Sequence, residues 1–275
     1  MSDGIRLAEK QDIPALSEIW KICFHDSDDY IRFFYRENFD HITTMVYTVD
    51  GRPVSMLHWF DSCIVDGDER RKAKFLYAGG TLPDYRKNGY YAALFWYVRD
   101  YARENGFAIF HKPASKTLVP YYQTFGYEVD ACFTLMTIRP GETIPINIYP
   151  VAPEEYNLMR NKAFSSHPHA EWPDRHVRFC VDENAFFGGR TLAVELDGSV
   201  HFLMGAKEEN TLRITETDLS LSQLRRAAGA LCSLFGTELL KAYLPDFSCA
   251  EGEEIVSSIV YNMPLRNTYV NLTLF

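Results

Sequence analysis

The sequence predicts a mixed α/β chain built of two tandem copies, each a central sheet flanked by helices, with the second copy degenerate. Three observations lead there. Strand, helix and strand follow one another between Lys74 and His111, which implies a right-handed crossover between parallel neighbours. An Asp-Gly pair between β-rich runs occurs twice, at Asp50-Gly51 and at Asp197-Gly198. A short polar segment marked by Pro and Gly, residues 139–143, separates the two occurrences and reads as a linker. The implied division is 1–138, linker 139–143 and 144–275.

Along the first copy, a short strand near Ile5 precedes a helix from Asp12 to Phe24 that sets Leu16, Ile19, Trp20 and Cys23 at helical spacing. Asp28 to Tyr35 reads as a second helix. Met45 to Val49 and Val54 to Trp59 are the strands of the first hairpin, Gly providing the positive φ that the tight turn requires. Lys74 to Leu82 is a strand, Pro83 to Asn88 a loop, and Gly89 to Glu104 a helix that stops at Asn105-Gly106. Phe107 to His111 is the next strand, followed by a short helix near Leu118 to Thr124 and strands to Ile138. In the second copy, Val177-Arg178-Phe179-Cys180 echoes Ile31-Arg32-Phe33-Phe34, and Val194 to Gly198 echoes Tyr47 to Gly51. The helix Leu221 to Phe235 then ends at Gly236, but no basic glycine loop precedes it.

Composition narrows the function. A chain of 275 residues with 47% hydrophobic and 15% aromatic content can bury a large core. Its net charge of -9 repels phosphate backbones, so a nucleic-acid partner is not expected and a cationic substrate suits the balance better. No signal peptide or membrane-length apolar run is seen. The six cysteines are scattered without C-x-x-C spacing, and the expectation is a cytoplasmic, reduced, metal-free protein with no membrane partner. Association into a homo-oligomer is left open.

Arg86-Lys87-Asn88-Gly89 stands directly before a helix start. A helix N-terminus exposes unpaired N–H groups and about half a positive charge, so a preceding loop with cations and glycine can cradle a pyrophosphate. Taken alone, the loop could equally be a solvated basic turn.

Thr81 to Tyr91 resembles the coenzyme A loop of the GCN5-related N-acetyltransferases (the GNAT superfamily), [Arg/Gln]-x-x-Gly-x-[Gly/Ala] after a strand ending near Pro. It follows that pattern through Gly89 and departs at Tyr91, where a small residue is usual. Tyr121-Tyr122-Gln123-Thr124-Phe125-Gly126-Tyr127 is similar to a second family segment, [Leu/Phe]-Tyr-x-x-x-Gly-[Phe/Tyr], in the expected order. The tandem arrangement resembles the bacterial Enhanced Intracellular Survival type, in which a degenerate copy follows the catalytic one. The resemblance implies a GNAT fold and an acetyl-CoA-dependent N-acetyltransferase acting on a primary amine of a small molecule or a protein; the alternative is an inactive CoA-binding regulatory module.

The resemblance also implies roles. Gly80, Thr81, Leu82, Arg86, Lys87, Asn88, Gly89 and Tyr90 would hold acetyl-CoA, with an amide at Leu82 or a neighbour facing the thioester oxygen. Tyr122, with Tyr121 as rival, would reprotonate the departing thiolate. An alkyl ammonium cannot attack until it loses a proton, so a base is required. The strand Lys74 to Leu82 has no carboxylate to serve. His111 and His58 are candidates, each also readable as a core histidine, and the family type adds the C-terminal carboxylate, here on Phe275. Asp26 and Asp28, between the first two helices, would form a cation-binding rim with His58 facing the same cleft; they read equally well as helix caps.

Overall fold

The computed structural model describes residues 3–245 and 252–272. The first half contributes β1 (Gly4–Leu7), α1 (Ile13–Phe24), α2 (Asp28–Asn38), β2 (Thr43–Val49), β3 (Arg52–Asp66), β4 (Glu69–Thr81), α3 (Tyr90–Asn105), β5 (Ala108–His111), α4 (Val119–Gln123) and β6 (Glu128–Ile138). The second contributes β7 (Asn147–Pro150), α5 (Pro153–Phe164), β8 (His169–Glu171), α6 (Asp174–Phe186), β9 (Arg190–Leu196), β10 (Ser199–Glu208), β11 (Thr211–Thr217), α7 (Leu221–Phe235), β12 (Leu239–Pro245) and β13 (Glu253–Tyr261). Setting aside β8 and α4, the two halves run through the same order of strands and helices.

Both Asp-Gly turns have the mirror-image geometry that matches strand twist. Asp50 and Gly51 lie at φ 51° and 77°, Asp197 and Gly198 at 55° and 74°. The first hairpin is followed by a longer one than the sequence pattern suggests. β3 extends beyond Trp59 to Asp66 and β4 begins at Glu69, joined through a turn with Gly67 at φ 57°. Polar residues between Asp61 and Lys74 hide these strand ends. They are held because Cys63 to Val65 pair with β8 from the second half.

All the described strands belong to one sheet, in the order β1-β2-β3-β4-β5-β13-β6-β12-β11-β10-β9-β7, with β8 on β3. The halves are interleaved rather than merely adjacent. β13 of the second half lies antiparallel between β5 and β6, and β6 of the first half lies antiparallel against β12. Each half therefore completes its sheet with the other's last strand, and the backbone donors and acceptors at the junction are satisfied across the seam.

Apolar side chains cover both faces. Trp20 and Phe34 from the α1/α2 layer pack with Phe75, Phe110, Trp172 and Phe179 in a core that crosses the halves. Leu94, Phe95 and Val98 of α3 pack with Tyr122 and Tyr127 on the opposite face, joined by Val256 and Ile259 of β13. α7 covers the second half through Leu224, Ala227, Ala228 and Leu231. Each large side chain buried here contributes about 1.5–3 kcal/mol.

Candidate active site

The site begins where two parallel strands part. β4 and β5 pair only through Ala73/Ala108, Lys74/Ile109 and Phe75/Phe110. Beyond Phe75 and Phe110 they diverge and leave a wedge through the sheet. β4 also bulges against β3: Met56 pairs with Gly80 and His58 with Tyr77, so Leu57 faces the two residues Ala78 and Gly79. Ala78 takes φ 45°, left-handed for a residue with a Cβ, a strain that a bulge next to a cleft can sustain. Two cavities open on this wedge, of about 550 and 510 Å³, and they share Phe24, Gly79 and Tyr91 as lining.

The first cavity lies at the loop for which the sequence suggests a pyrophosphate. It is lined by Thr81, Arg86, Lys87, Gly89 and Tyr90. Lys87 (φ 66°) and Gly89 (φ 81°) both turn left-handed, and no side chain caps the start of α3. The first amides of a 16-residue helix thus face the cavity mouth uncapped, which suits an anionic oxygen. The Asn88 side-chain amide braces the loop by donating to the Tyr85 and Arg86 carbonyls at 3.2 and 3.3 Å, and Arg86 Nε donates to the Thr81 carbonyl at 3.1 Å. Tyr90 stacks on Tyr47 with ring centres 4.4 Å apart. Ser55 ties down the neighbouring strand, donating to the Gly80 carbonyl at 3.0 Å and lying 2.8 Å from the Thr81 hydroxyl. The Leu82 amide is already engaged, donating to the Val54 carbonyl at 3.0 Å. The bulged residues Ala78 and Gly79 are its neighbours outside the ladder register.

Tyr91, the departure from the family pattern, is accommodated by Gly79. A Cβ at Gly79 would lie 2.4 Å from the Tyr91 hydroxyl, so the ring occupies the space that a side chain on β4 would need. The hydroxyls of Tyr91 and Tyr122 influence each other's titration.

The second cavity passes from one face of the sheet to the other. Leu76, Phe95, His111 and Tyr122 line it on the α3 side; Trp20, Asp26, Tyr77, Lys112 and Arg213 line it on the α1 side. Burial pushes the Tyr122 hydroxyl above its ordinary range, with the Tyr91 hydroxyl pulling the other way, so it stays protonated at neutral pH. Tyr121 is 39% exposed and lines the first cavity instead, which separates the two neighbouring tyrosines. His111 stands edge-on to Tyr122, ring centres 4.2 Å apart. Neither of its ring nitrogens finds a hydrogen-bond partner among the described residues, and burial lowers it to about 3. A neutral imidazole with so low a pKa is a weak base towards an ammonium.

Asp26 accepts from Trp20 Nε1 at 2.8 Å at the cavity wall. Asp28 points elsewhere, in a surface ion pair with Lys21 at 2.8 Å. His58 is not in the cleft lining: fully buried, it sits 2.8 Å from the Thr44 hydroxyl and 3.4 Å from that of Tyr35, and burial lowers it to about 3. Phe275 lies outside the described residues. The structure adds lining residues that sequence reasoning did not select: Tyr77, Lys112 and Arg213. Lys112, pushed down to about 8 by burial with Arg213 adding to the effect, follows His111 directly. Arg213 comes from β11, and no local sequence signal links it to the first half's cleft.

The geometry can be compared with known proteins. The family model for the acetyltransferase (GNAT) domain matches residues 4–129. This stretch is an acetyltransferase (GNAT) domain. It is thus a domain of the acyl-transferring enzymes. Among solved structures, the chain is similar to a conserved protein of Enterococcus faecalis V583 described as a probable N-acyltransferase, at TM-score 0.74 and 12% identity over 94% of this chain and 72% of that one. It is also similar to Eis1 from Mycobacterium abscessus (TM-score 0.67, 13% identity, 93% and 72% covered) and to a GCN5-related N-acetyltransferase from Kribbella flavida (0.67, 14%, 94% and 71%). At these identities the likeness is one of fold, and it extends the GNAT architecture over both halves. No curated protein matches the sequence. Among the described residues, no helix is long and apolar enough to cross a membrane.

Proposed function

We propose that this protein is an acetyl-CoA-dependent N-acetyltransferase whose acceptor is a primary amine. The observation that carries the reading is the continuity of the two cavities. The uncapped start of α3 with Arg86 to Gly89 opens on the same wedge into which Tyr122 projects, and Gly79 and Tyr91 belong to both walls. Acetyl-CoA would supply an activated acetyl thioester. Its pyrophosphate suits the α3 amides, Arg86 and Lys87, with Thr81 and Tyr90 beside them, and its acyl end suits the wedge between β4 and β5. The bulge at Ala78 and Gly79 offers backbone donors for a carbonyl oxygen that gains charge. Tyr122, protonated and at the wedge, is the group to hand a proton to the leaving sulfur. Asp26 gives the acceptor side, which Lys112 and Arg213 also line, a carboxylate that suits an ammonium group of a small molecule or protein.

Thermal melting with acetyl-CoA, followed by thiol release on a panel of amines, tests the reading. A raised melting temperature together with amine-dependent thiol release is expected. Stabilisation without thiol release would identify an inactive CoA-binding module, and no stabilisation would refute the phosphate site.

A further inference from the structure

The acetyl-transfer reading leaves one step without an agent, the removal of the acceptor's proton. The cleft stretch of β4, from Lys74 to Thr81, carries no carboxylate, and His111 is held neutral by burial. A carboxylate from the other half of the chain lies behind the acceptor side, two hydroxyls away. Glu183 on α6 is 2% exposed and accepts a hydrogen bond from the hydroxyl of Tyr30 on α2, itself 2% exposed. The Tyr30 hydroxyl lies 3.4 Å from that of Tyr77 on β4, and Tyr77 lines the acceptor side of the cleft. Carboxylate, two hydroxyls and cavity form a line.

The polarity of that line follows from counting protons. When Glu183 is ionised, Tyr30 gives its one hydroxyl proton to the carboxylate. In the contact between the tyrosines, Tyr77 must then be the donor, which leaves the lone pairs of its oxygen for a donor in the cleft. A carboxylate buried at the far end thus makes a tyrosine at the cavity wall act as an acceptor.

We propose that Glu183, acting through Tyr30 and Tyr77, receives the acceptor's ammonium proton, so that the basic arm of the site is assembled across the two halves. This rests on the acetyl-transfer reading above. One ammonium proton passes to the Tyr77 oxygen as the Tyr77 proton passes to Tyr30 and the Tyr30 proton to Glu183. The nitrogen lone pair so released forms the N–C bond, the C–S bond breaks, the sulfur takes its proton from Tyr122, and the second proton that the nitrogen must lose to become an amide returns to Tyr122. Glu183 afterwards loses its proton to water by the reverse path. Acid and base then stand on opposite faces of the sheet, Tyr122 on the α3 side and Tyr77 on the α1 side, with the wedge between them.

The surroundings of Glu183 tune it for this task. Burial pushes its carboxyl up to about 8, the negative charge of Asp26 in the α1–α2 loop adds to the rise, and the hydrogen bond from Tyr30 opposes it. Tyr30 on α2, Tyr77 on β4, Asp26 in the loop and Cys180 on α6 itself are the titratable groups coupled to it. A base whose pKa lies close to working pH both accepts and returns a proton readily. The sign for stability follows: a carboxyl raised from 4.5 in the unfolded chain to about 8 in the folded one favours folding below 4.5, and this contribution is lost as pH rises through 8.

The test uses the full chain with acetyl-CoA and two probe acceptors: n-butylamine, an ammonium at neutral pH, and aniline, which is already neutral. Glu183→Gln and Tyr77→Phe should each lower kcat/KM for n-butylamine roughly 100-fold at pH 7.5, leave the KM for acetyl-CoA unchanged and spare aniline. Glu183→Asp should restore part of the loss. The melting temperature of the wild type should fall between pH 6 and pH 9, and that of Glu183→Gln should not. Equal losses with both amines would make the two residues structural and overturn the inference, as would an unchanged pH profile in Glu183→Gln. If acetyl-CoA stabilises the wild type but no amine is acetylated, the relay has no proton to take and the inference falls while the CoA site stands. If acetyl-CoA does not bind, the acetyl-transfer reading itself has failed.

Discussion

The two halves place equivalent elements around very different interiors. α3 and α7 each follow the strand that leaves a hairpin, yet α3 starts at Gly89 with no capping side chain while α7 starts with a capping box between Ser220 and Gln223. One helix keeps its amides open to a ligand and the other spends them on its own side chains. The strands before them differ in the same sense. β4 and β11 both carry a bulge, but Gly79 and Gly80 leave a cleft beside β4, whereas beside β11 Glu216 is fully buried against Arg160 at 2.8 Å and accepts from Tyr156 and Tyr269 at 2.7 and 2.8 Å. The space that is an open cavity in one half is filled by an ion-pair cluster in the other. A repeated fold thus becomes a site only where its helix cap is left open and its wedge is left empty.

Arg160→Ala should produce the largest effect and separate stability from chemistry. Removing one partner of a buried ion pair strands the other charge and costs about 3–5 kcal/mol. Denaturant titration should show that loss, with acetyl-CoA affinity retained below the new midpoint. Loss of acetyl-CoA binding without loss of stability would instead make the second half part of the phosphate site.

In the first half, Tyr122→Phe should lower turnover roughly 100-fold, about 2.7 kcal/mol of activation free energy, with the acetyl-CoA affinity nearly intact. Steady-state thiol release reads this directly. A fall in both turnover and affinity would point to a disturbed cleft, because the ring packs against Phe95 and His111. Changing Arg86 and Lys87 together to Glu should abolish the thermal shift by acetyl-CoA, worth about 2.7 kcal/mol at a hundredfold excess over Kd, and leave the melting point of the free protein within a degree or so. A retained shift would move the phosphate site elsewhere. The smallest effect belongs to the closed helix: Ser220→Ala should cost about 1 kcal/mol of stability, seen in denaturant titration, with thiol release unchanged. An effect of Ser220→Ala on acetyl-CoA binding would mean that the second helix start also faces a ligand.

Much of this contrast is legible in the chain. Asp50-Gly51 and Asp197-Gly198 announce both hairpins, because few sequences tolerate two successive positive φ values. Arg86 to Gly89 before α3, and the absence of such a loop before α7, already distinguish the open helix from the closed one. The long arms of β3 and β4 were not legible, because Asp61, Arg70, Arg71 and Lys72 break the alternation that marks a strand, and pairing with β8 overrides that local signal. His58 reads in the sequence both as a base candidate and as a core histidine; only packing decides for the core, because Thr44 and Tyr35 partner its ring.

The sequence by itself determined where the chain turns, which helix start is cationic and which tyrosine motif accompanies it, since these depend on backbone preferences and charges only a few residues apart. Tertiary structure alone decided the exchange of β6 and β13 between halves, the fit of Tyr91 over Gly79, the arrival of Arg213 at a cleft formed by residues far away in the chain, and the contact of Glu183 with Tyr30 behind it. The physical reason is range. Dihedral preferences and helix-end fields act over a turn or two, whereas a cleft and the carboxyl groups it perturbs exist only after distant segments have excluded water together.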